Sequence, residues 1–311
     1  MFNSSNNKPI ILKSDAIVQQ RKNELKERVK QLNSRGVEVS LATLLVGNDP
    51  ASVKYVNNKH KDCEEIGIKS IREELPANIT VEELTSAIKA LNNDNDVTAY
   101  IVQLPLPKTL TPCLTNILQR IDPNKDADGL NPYNLGKILL EQGKYYRDDN
   151  RLILPCTPAG IVDFLISSNI SLAHRNICVI GRGLTSGKPL AAMLTNKQYN
   201  ASVDVVHTGT FDLKEHLQKA NMIISCAGNP WFIQPDWISK NTILVNVGVS
   251  RVFDETDNKY HMRGDFHPDC KNKALVWVPP VHGIGPMTRV KLMENTVSLA
   301  EKKLESNLFI R

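Results

Sequence analysis

The sequence predicts a two-domain α/β protein built on parallel sheets, an N-terminal three-layer domain followed by a doubly wound one. Three observations predict it. The 311 residues leave room for two cores of ordinary domain size. Short β-branched runs alternate with helical patterns along most of the chain, which is the order of βαβ units. Asn176 to Pro189 reads N-I-C-V-I-G-R-G-L-T-S-G-K-P, an apolar strand running into a glycine turn and the start of a helix.

That last stretch has the layout of a Rossmann-type dinucleotide site. Gly181 permits the tight turn, Gly183 lets backbone approach a pyrophosphate, and Gly187 lets the helix pack closely on its strand. The helix start offers N–H groups and a positive dipole end to phosphates. The spacing is G-x-G-x-x-x-G, one residue longer than the commonest form, and by itself it also fits a glycine-rich turn in an ordinary α/β domain.

Composition narrows the class. Hydrophobic residues make up 41% and charged residues 23%, the balance of a globular chain rather than a disordered one. No apolar run is long enough to cross a bilayer, and Met1 to Lys8 is polar and asparagine-rich with no signal-peptide core, so no membrane association is expected. Cys63, Cys113, Cys156, Cys178, Cys226 and Cys270 are spread without a C-x-x-C pair, as in a reduced cytoplasmic protein, and no metal-ligand spacing is present. The net charge of +5 suits an anionic small molecule, and without a concentrated basic block it does not point to nucleic acid.

In chain order, Ser14 can cap a helix to about Arg35, with Leu25, Val29 and Leu32 on one face and Gly36 as its stop. Val37 to Val46 is a strand, and Asp49-Pro50 supplies an N-cap and a first-turn proline for the next helix, which ends near Gly67. Ile68 to Leu75 is a strand, Thr80-Val-Glu-Glu83 a capping box, and Val97 to Leu104 a third strand. A helix from Pro112 precedes the polar segment Asp122 to Gly129, and another helix spans Pro132 to Glu141. The charged stretch 142–151 marks a domain boundary, giving a first domain over 1–150 and a second over 151–285. Thr157-Pro158 caps a linking helix to Ser168. Val203 to Val206, Met222 to Cys226, Thr242 to Val247 and Ala274 to Val278 join the glycine-turn strand in a five-stranded parallel sheet, and a last helix begins at Pro286.

Several residues in this frame can carry chemistry. Tyr55 and Lys59 are four apart on one helix face, where a partly desolvated lysine can serve as base or polarising acid; an ordinary solvated lysine has the same spacing. Gln103 lies at the carboxyl end of a parallel strand, where open sheets place ligand contacts and where a merely structural amide also fits. Asp126 and Asp128, in D-A-D-G, read locally as turn formers. The second Rossmann strand ends in His207-Thr208 with no carboxylate for a ribose 2′-hydroxyl, and Arg182 can reach a 2′-phosphate, so the residues favour NADP over NAD unless both serve only local packing. Glycines at Val247-Gly248-Val249 and Gly283 to Thr288 either admit ligand backbone contacts or make turns.

Taken together, V-G-N-D-P-A-S-V-K-Y-V-N-N-K at Val46 to Lys59, Q-L-P-L-P at Gln103 to Pro107 and D-P-N-K-D-A-D-G-L at Asp122 to Leu130 resemble the bifunctional methylenetetrahydrofolate dehydrogenase/methenyltetrahydrofolate cyclohydrolase family. P-C-T-P-A-G at Pro155 to Gly160, G-R-G-L-T-S-G-K-P at Gly181 to Pro189, N-V-G-V-S-R at Asn246 to Arg251 and G-I-G-P-M-T at Gly283 to Thr288 extend the resemblance over nearly the whole chain. It implies a folate-binding catalytic domain completed by the C-terminal helix over 286–311, a Rossmann NADP-binding domain, and a cleft between them holding the active site. It implies Lys59 as the catalytic lysine, Gln103 bonded to it and to the reacting centre, Tyr55 against the folate, and Asp128 on the pterin ring. Gly181, Arg182, Gly183, Ser186, His207, Thr208, Gly248, Val249 and Thr288 become the candidate cofactor contacts. A homodimer through the Rossmann domains, a folate substrate and a place in the one-carbon supply to purine, methionine and histidine biosynthesis are implied as well.

Two positions depart from the family pattern. Gly183 stands where many members have serine, and His282 interrupts the usual Pro-Val-Pro-Gly-Gly, which puts an imidazole near the expected folate pocket. A dehydrogenase with little cyclohydrolase activity, a non-catalytic folate binder and a quinate- or amino-acid-type dehydrogenase are the competing readings. The joint presence of Tyr55, Lys59, Gln103 and Asp128 argues against the binder, and the Q-L-P-L-P and D-A-D-G pair against the other dehydrogenases.

Overall fold

The computed structural model describes residues 8–140 and 152–309, so the expected boundary loop at 142–151 lies outside the described residues. The elements begin with β1 (Ile10–Ile11), α1 (Asp15–Ser34), β2 (Ser40–Val46), α2 (Pro50–Ile66), β3 (Lys69–Leu75), α3 (Val81–Asn93) and β4 (Ala99–Val102). Next come α4 (Leu114–Gln119), α5 (Pro132–Leu140), α6 (Cys156–Ser167), β5 (Asn176–Ile180), α7 (Gly187–Leu194), β6 (Ser202–Val206), α8 (Leu213–Lys219) and β7 (Met222–Ser225). The chain closes with β8 (Thr242–Asn246), β9 (Val249–Asp254), β10 (Lys259–Gly264), β11 (Ala274–Val278) and α9 (Ile284–Phe309). Two compact units result: residues 19–140, 152–156 and 289–309 in one, and 8–18 with 157–288 in the other.

In the first unit a parallel sheet has the order β3-β2-β4. All seven residues of β2 are buried, as a central strand covered on both faces requires, and this explains its near-continuous apolar run. Because β3 and β4 flank β2 on opposite sides, the strand order reverses at β2, and the carboxyl ends of β2 and β4 meet where open parallel sheets generally place ligand contacts. The helix signals are as expected. Asp49 accepts from Ser52 N at 2.8 Å, Pro50 opens α2, and Gly67 closes it in the left-handed region at φ 89°. Thr80 and Glu83 form the complete capping box of α3.

The second unit carries a six-stranded parallel sheet in the order β1-β11-β8-β7-β5-β6, one strand more than expected. The sixth is β1, two residues long, which pairs with β11 and draws residues 8–18 out of the domain to which the sequence reading assigned them. Neighbours β6 and β7 lie on either side of β5, so the crevice at the carboxyl end of β5 is the switch point of this sheet. Ile180, Val206, Ile223, Leu244, Phe266 and Trp277 belong to one apolar core beneath it. At the apolar coefficient, each such fully buried side chain contributes about 1.5–3 kcal/mol. The antiparallel pair β9–β10 was not expected, and α6 begins at Cys156, so Thr157 lies inside that helix and does not cap it.

Candidate active site

Helix α2 buries Ser52, Val56, Lys59, Asp62, Cys63 and Ile66 along one stripe, and Lys59 is thereby only 5% exposed. The reading of Lys59 as an ordinary solvated lysine is excluded. Its Nζ donates to Gln103 Oε1 at 3.0 Å and lies 4.8 Å from the centre of the Tyr55 ring. Gln103 N extends the β2–β4 pairing by donating to Leu44 O at 2.9 Å, which fixes the residue at the strand end. Its Nε2 donates to Leu104 O at 2.6 Å, and this holds Oε1 towards the lysine. Burial pushes the Lys59 amine below the usual lysine range, opposed by the nearby Asp128 charge and reinforced by Arg289. Burial raises the Tyr55 phenol, so Tyr55 acts as a neutral ring and hydroxyl.

The two aspartates of D-A-D-G part company. Asp126 is 1% exposed and accepts from Gly129 N at 3.0 Å, Asn131 N at 2.8 Å and Asn134 Nδ2 at 3.0 Å. It is the turn former, and it leaves its neighbour available. Tyr100 N donates to Lys125 O at 2.8 Å and Ala127 N to Tyr100 O at 3.2 Å, tying this segment to the edge of β4. Asp128 is half-buried, and among the described residues its carboxylate takes no backbone donor. Beside it the Cys156 thiol donates to Ala127 O at 3.3 Å, and burial first, then the Asp128 charge, raises that thiol well above the ordinary range. Asn295 of α9 donates through Nδ2 to Ala127 O at 2.8 Å and Leu154 O at 2.9 Å.

Cys156 stood in a quoted motif but was given no role, and Asn295, Arg289 and Asp62 were overlooked. Asp62 had a signal, being three residues from Lys59 on the same face. It receives Lys22 Nζ at 2.6 Å and Arg289 Nε at 2.5 Å, which ties α1 and α9 to α2 beneath the lysine.

In the second unit, Gly181 sits at φ 106°, and a Cβ on Gly187 would stand 1.9 Å from Gly181 O, so the turn and α7 meet where only glycine fits. Gly183 is exposed, and a Cβ there would meet nothing within 4 Å. Ser186 precedes α7 without using its hydroxyl as a cap. Arg182 Nη1 lies 3.2 Å from His207 Nε2, while His207 Nδ1 accepts from Gly209 N at 3.0 Å. A neutral imidazole has one proton, so accepting at Nδ1 puts that proton on Nε2, where it faces another donor. This pair of converging donors matches an anionic oxygen group. Asp204 is inside β6 and is taken up by His216, so no carboxylate ends that strand. Thr208 is exposed beside His207.

Gly248 N donates to Ser225 O at 2.8 Å, and Val249 opens β9. The Thr288 hydroxyl is engaged with Ile284 O at 3.3 Å and Thr157 Oγ1 at 3.4 Å. His282 adopts φ 62°, and its Nδ1 lies 2.8 Å from Asp15 Oδ1, with both side chains 56% exposed. Its carbonyl accepts from Ser14 N at 2.8 Å, so the imidazole lies over the first turn of α1, and Ser14 donates its hydroxyl there instead of capping.

Fold, glycine turn and donor set together make the second unit an NAD(P)-binding domain. Residues 155–304 match the family model of the tetrahydrofolate dehydrogenase/cyclohydrolase NAD(P)-binding domain, and residues 12–128 that of its catalytic domain. The chain belongs to the tetrahydrofolate dehydrogenase/cyclohydrolase family. It is 38% identical to the bifunctional FolD methylenetetrahydrofolate dehydrogenase/cyclohydrolase of Campylobacter jejuni, with a TM-score of 0.85 over 94% of this chain and 99% of that one. The Trypanosoma brucei enzyme, solved with NADP cofactor and inhibitor, is 30% identical with a TM-score of 0.86, covering 96% and 99%. A 5,10-methylenetetrahydrofolate dehydrogenase from the silkworm Bombyx mori is 30% identical with a TM-score of 0.83, again covering 96% and 99%.

Proposed function

We propose that the protein oxidises 5,10-methylenetetrahydrofolate with NADP+ and then hydrolyses the methenyl cation to 10-formyltetrahydrofolate, within one-carbon metabolism. The observation that carries the hydrolytic half is the buried Lys59–Gln103 pair. A desolvated amine is neutral over a wider pH range, and a cationic substrate beside it favours the neutral form further. Neutral Lys59 takes a proton from the attacking water, while Gln103 Oε1 fixes the amine and its lone-pair direction. Asp128 accepts from the paired N–H donors of the pterin, and the Tyr55 ring lies against the folate. Bound NADP+ supplies the hydride acceptor. Arg182, His207, Ser186 and the turn from Gly181 to Gly187 hold its phosphates, Thr208, Gly248, Val249 and Thr288 line its site, and the protein's part in that step is positioning.

The converging Arg182 and His207 donors support NADP+ over NAD+. Arg182→Ala is expected to raise the KM for NADP+ by about tenfold to a hundredfold, the range for a hydrogen bond to a charged group, and to leave NAD+ kinetics almost unchanged. An absorbance assay with each nucleotide, following reduced cofactor and methenyl product separately, tests the whole reading. Wild-type kcat/KM for NAD+ equal to that for NADP+ would overturn the preference.

A homodimer through the second unit is part of the same reading. Phe253, Tyr260 and Met262 occupy one face of the β9–β10 hairpin and are 46%, 56% and 46% exposed, an apolar surface suited to a second copy. Sedimentation velocity should show a dimer at micromolar concentration, and a monomer there removes this part. No helix among the described residues is long and apolar enough to cross a membrane. Six unpaired cysteines support a reducing compartment, and we place the protein in the cytoplasm.

A further inference from the structure

Asp265, just after β10, is fully buried at 0% exposure. Its Oδ2 accepts from Ser225 Oγ at 2.6 Å and Ala227 N at 3.0 Å, and its Oδ1 from Asn229 N at 2.8 Å. The segment after β7 thus wraps a carboxylate in backbone N–H groups, the arrangement of an anion nest. No cation pairs with it among the described residues. The opposite side is closed by Gly248, where a Cβ would stand 2.3 Å from Asp265 Oδ2 and 2.5 Å from Gly228 N. Such a carboxylate is costly to bury, and the three donors do not supply the opposite charge that would usually accompany it.

Its position gives it a use. A dinucleotide lies across the switch point, with its adenosine ribose at the end of the second strand, here β6 with Arg182 and His207. The nicotinamide half then extends the other way, over the carboxyl ends of β7 and β8, where residues 226–229 and Gly248 stand. Oxidised and reduced nicotinamide differ by one positive charge on the ring. We propose that Asp265 is a specificity-determining residue that makes the site bind NADP+ more tightly, relative to NADPH, than a neutral residue would. The nest holds the negative charge in place, so no reorganisation is needed when the cofactor binds. Burial raises the Asp265 carboxyl above its ordinary range, and the hydrogen bonds from Ser225 and from the backbone of residues 227–229 oppose that rise by favouring the charged form.

The inference rests on the NADP-site reading, and equilibrium titration separates the two. Calorimetric Kd values for NADP+ and NADPH are measured on the full chain, and a wild type that binds neither defeats the site reading itself. With binding established, Asp265→Asn should weaken NADP+ about tenfold more than NADPH, the scale of a charge interaction at an effective dielectric near 20. Asp265→Glu retains the charge and should keep the ratio of the two Kd values within about twofold, whatever it does to both affinities. An unchanged ratio in Asp265→Asn overturns the proposal. Should that variant fail to fold, the carboxyl 13C shift of Asp265 in the wild type decides: an ionised group at neutral pH is required, and a protonated one overturns it.

Discussion

Lys59→Met is expected to lower hydrolysis of methenyltetrahydrofolate by a factor of about a hundred to ten thousand, the usual cost of losing a positioned acid–base group. Dehydrogenase activity should fall much less, because hydride transfer asks the residue only for positioning. Methionine fills the same length of cavity with no amine to desolvate, so the thermal midpoint should hold or rise. The pH profile gives an independent check. Burial sets the Lys59 pKa below the ordinary 10.5, so wild-type hydrolysis should rise with pH through that lowered value as the amine loses its proton, and the variant should lack the rise. Equal loss of both activities with folate affinity intact would show that the lysine has no separate hydrolytic role.

The second large effect is steric. In Gly187→Ala the new methyl would stand 1.9 Å from Gly181 O and 2.7 Å from Gly181 C, both backbone atoms. Neither can rotate away, so α7 must move off β5 or the turn must open. Overpacking of this kind costs about 1–3 kcal/mol, and more where backbone is the obstacle. Calorimetry should show NADP+ affinity reduced by about a hundredfold or more as the phosphate turn is deformed. Gly183→Ala is the control, since its Cβ meets nothing within 4 Å in the free protein. It should leave the thermal midpoint unchanged and affect only nucleotide affinity. Similar unfolding midpoints for the two variants would mean that the close approach at Gly187 does not hold in solution.

These sites differ in how far the sequence alone announced them. Caps were legible because their chemistry is local: Asp49-Pro50 and Thr80 to Glu83 satisfy nearby backbone donors whatever the rest of the chain does. The strands at the centre of each sheet were legible for a similar reason, as their apolar runs need cover on both faces. Lys59 was not separable from a surface lysine by spacing. Its burial comes from contacts with Gln103, 44 positions away, and only family resemblance singled it out. The two aspartates at 126 and 128 looked alike because a turn motif does not say which carboxylate the turn will use. Ile10–Ile11 is too short to signal a strand, and the hairpin strands carry charges that break the alternation of a half-buried sheet. Asp265 gave no local sign, because its donors come from 36 to 40 positions earlier.

The use of Asp126 as an internal acceptor bears on how the proposed folate site would meet its ligand. A binding loop that must be organised on contact subtracts its lost freedom from every favourable interaction it makes. Here three donors within eight residues of Asp126 organise the segment beforehand, and Asn295 anchors Ala127 from α9. Asp128 therefore sits on a finished support, one residue from an anchored carbonyl. On the reading proposed above, a ligand engaging this carboxylate would meet a loop already ordered and lose little affinity to loop entropy.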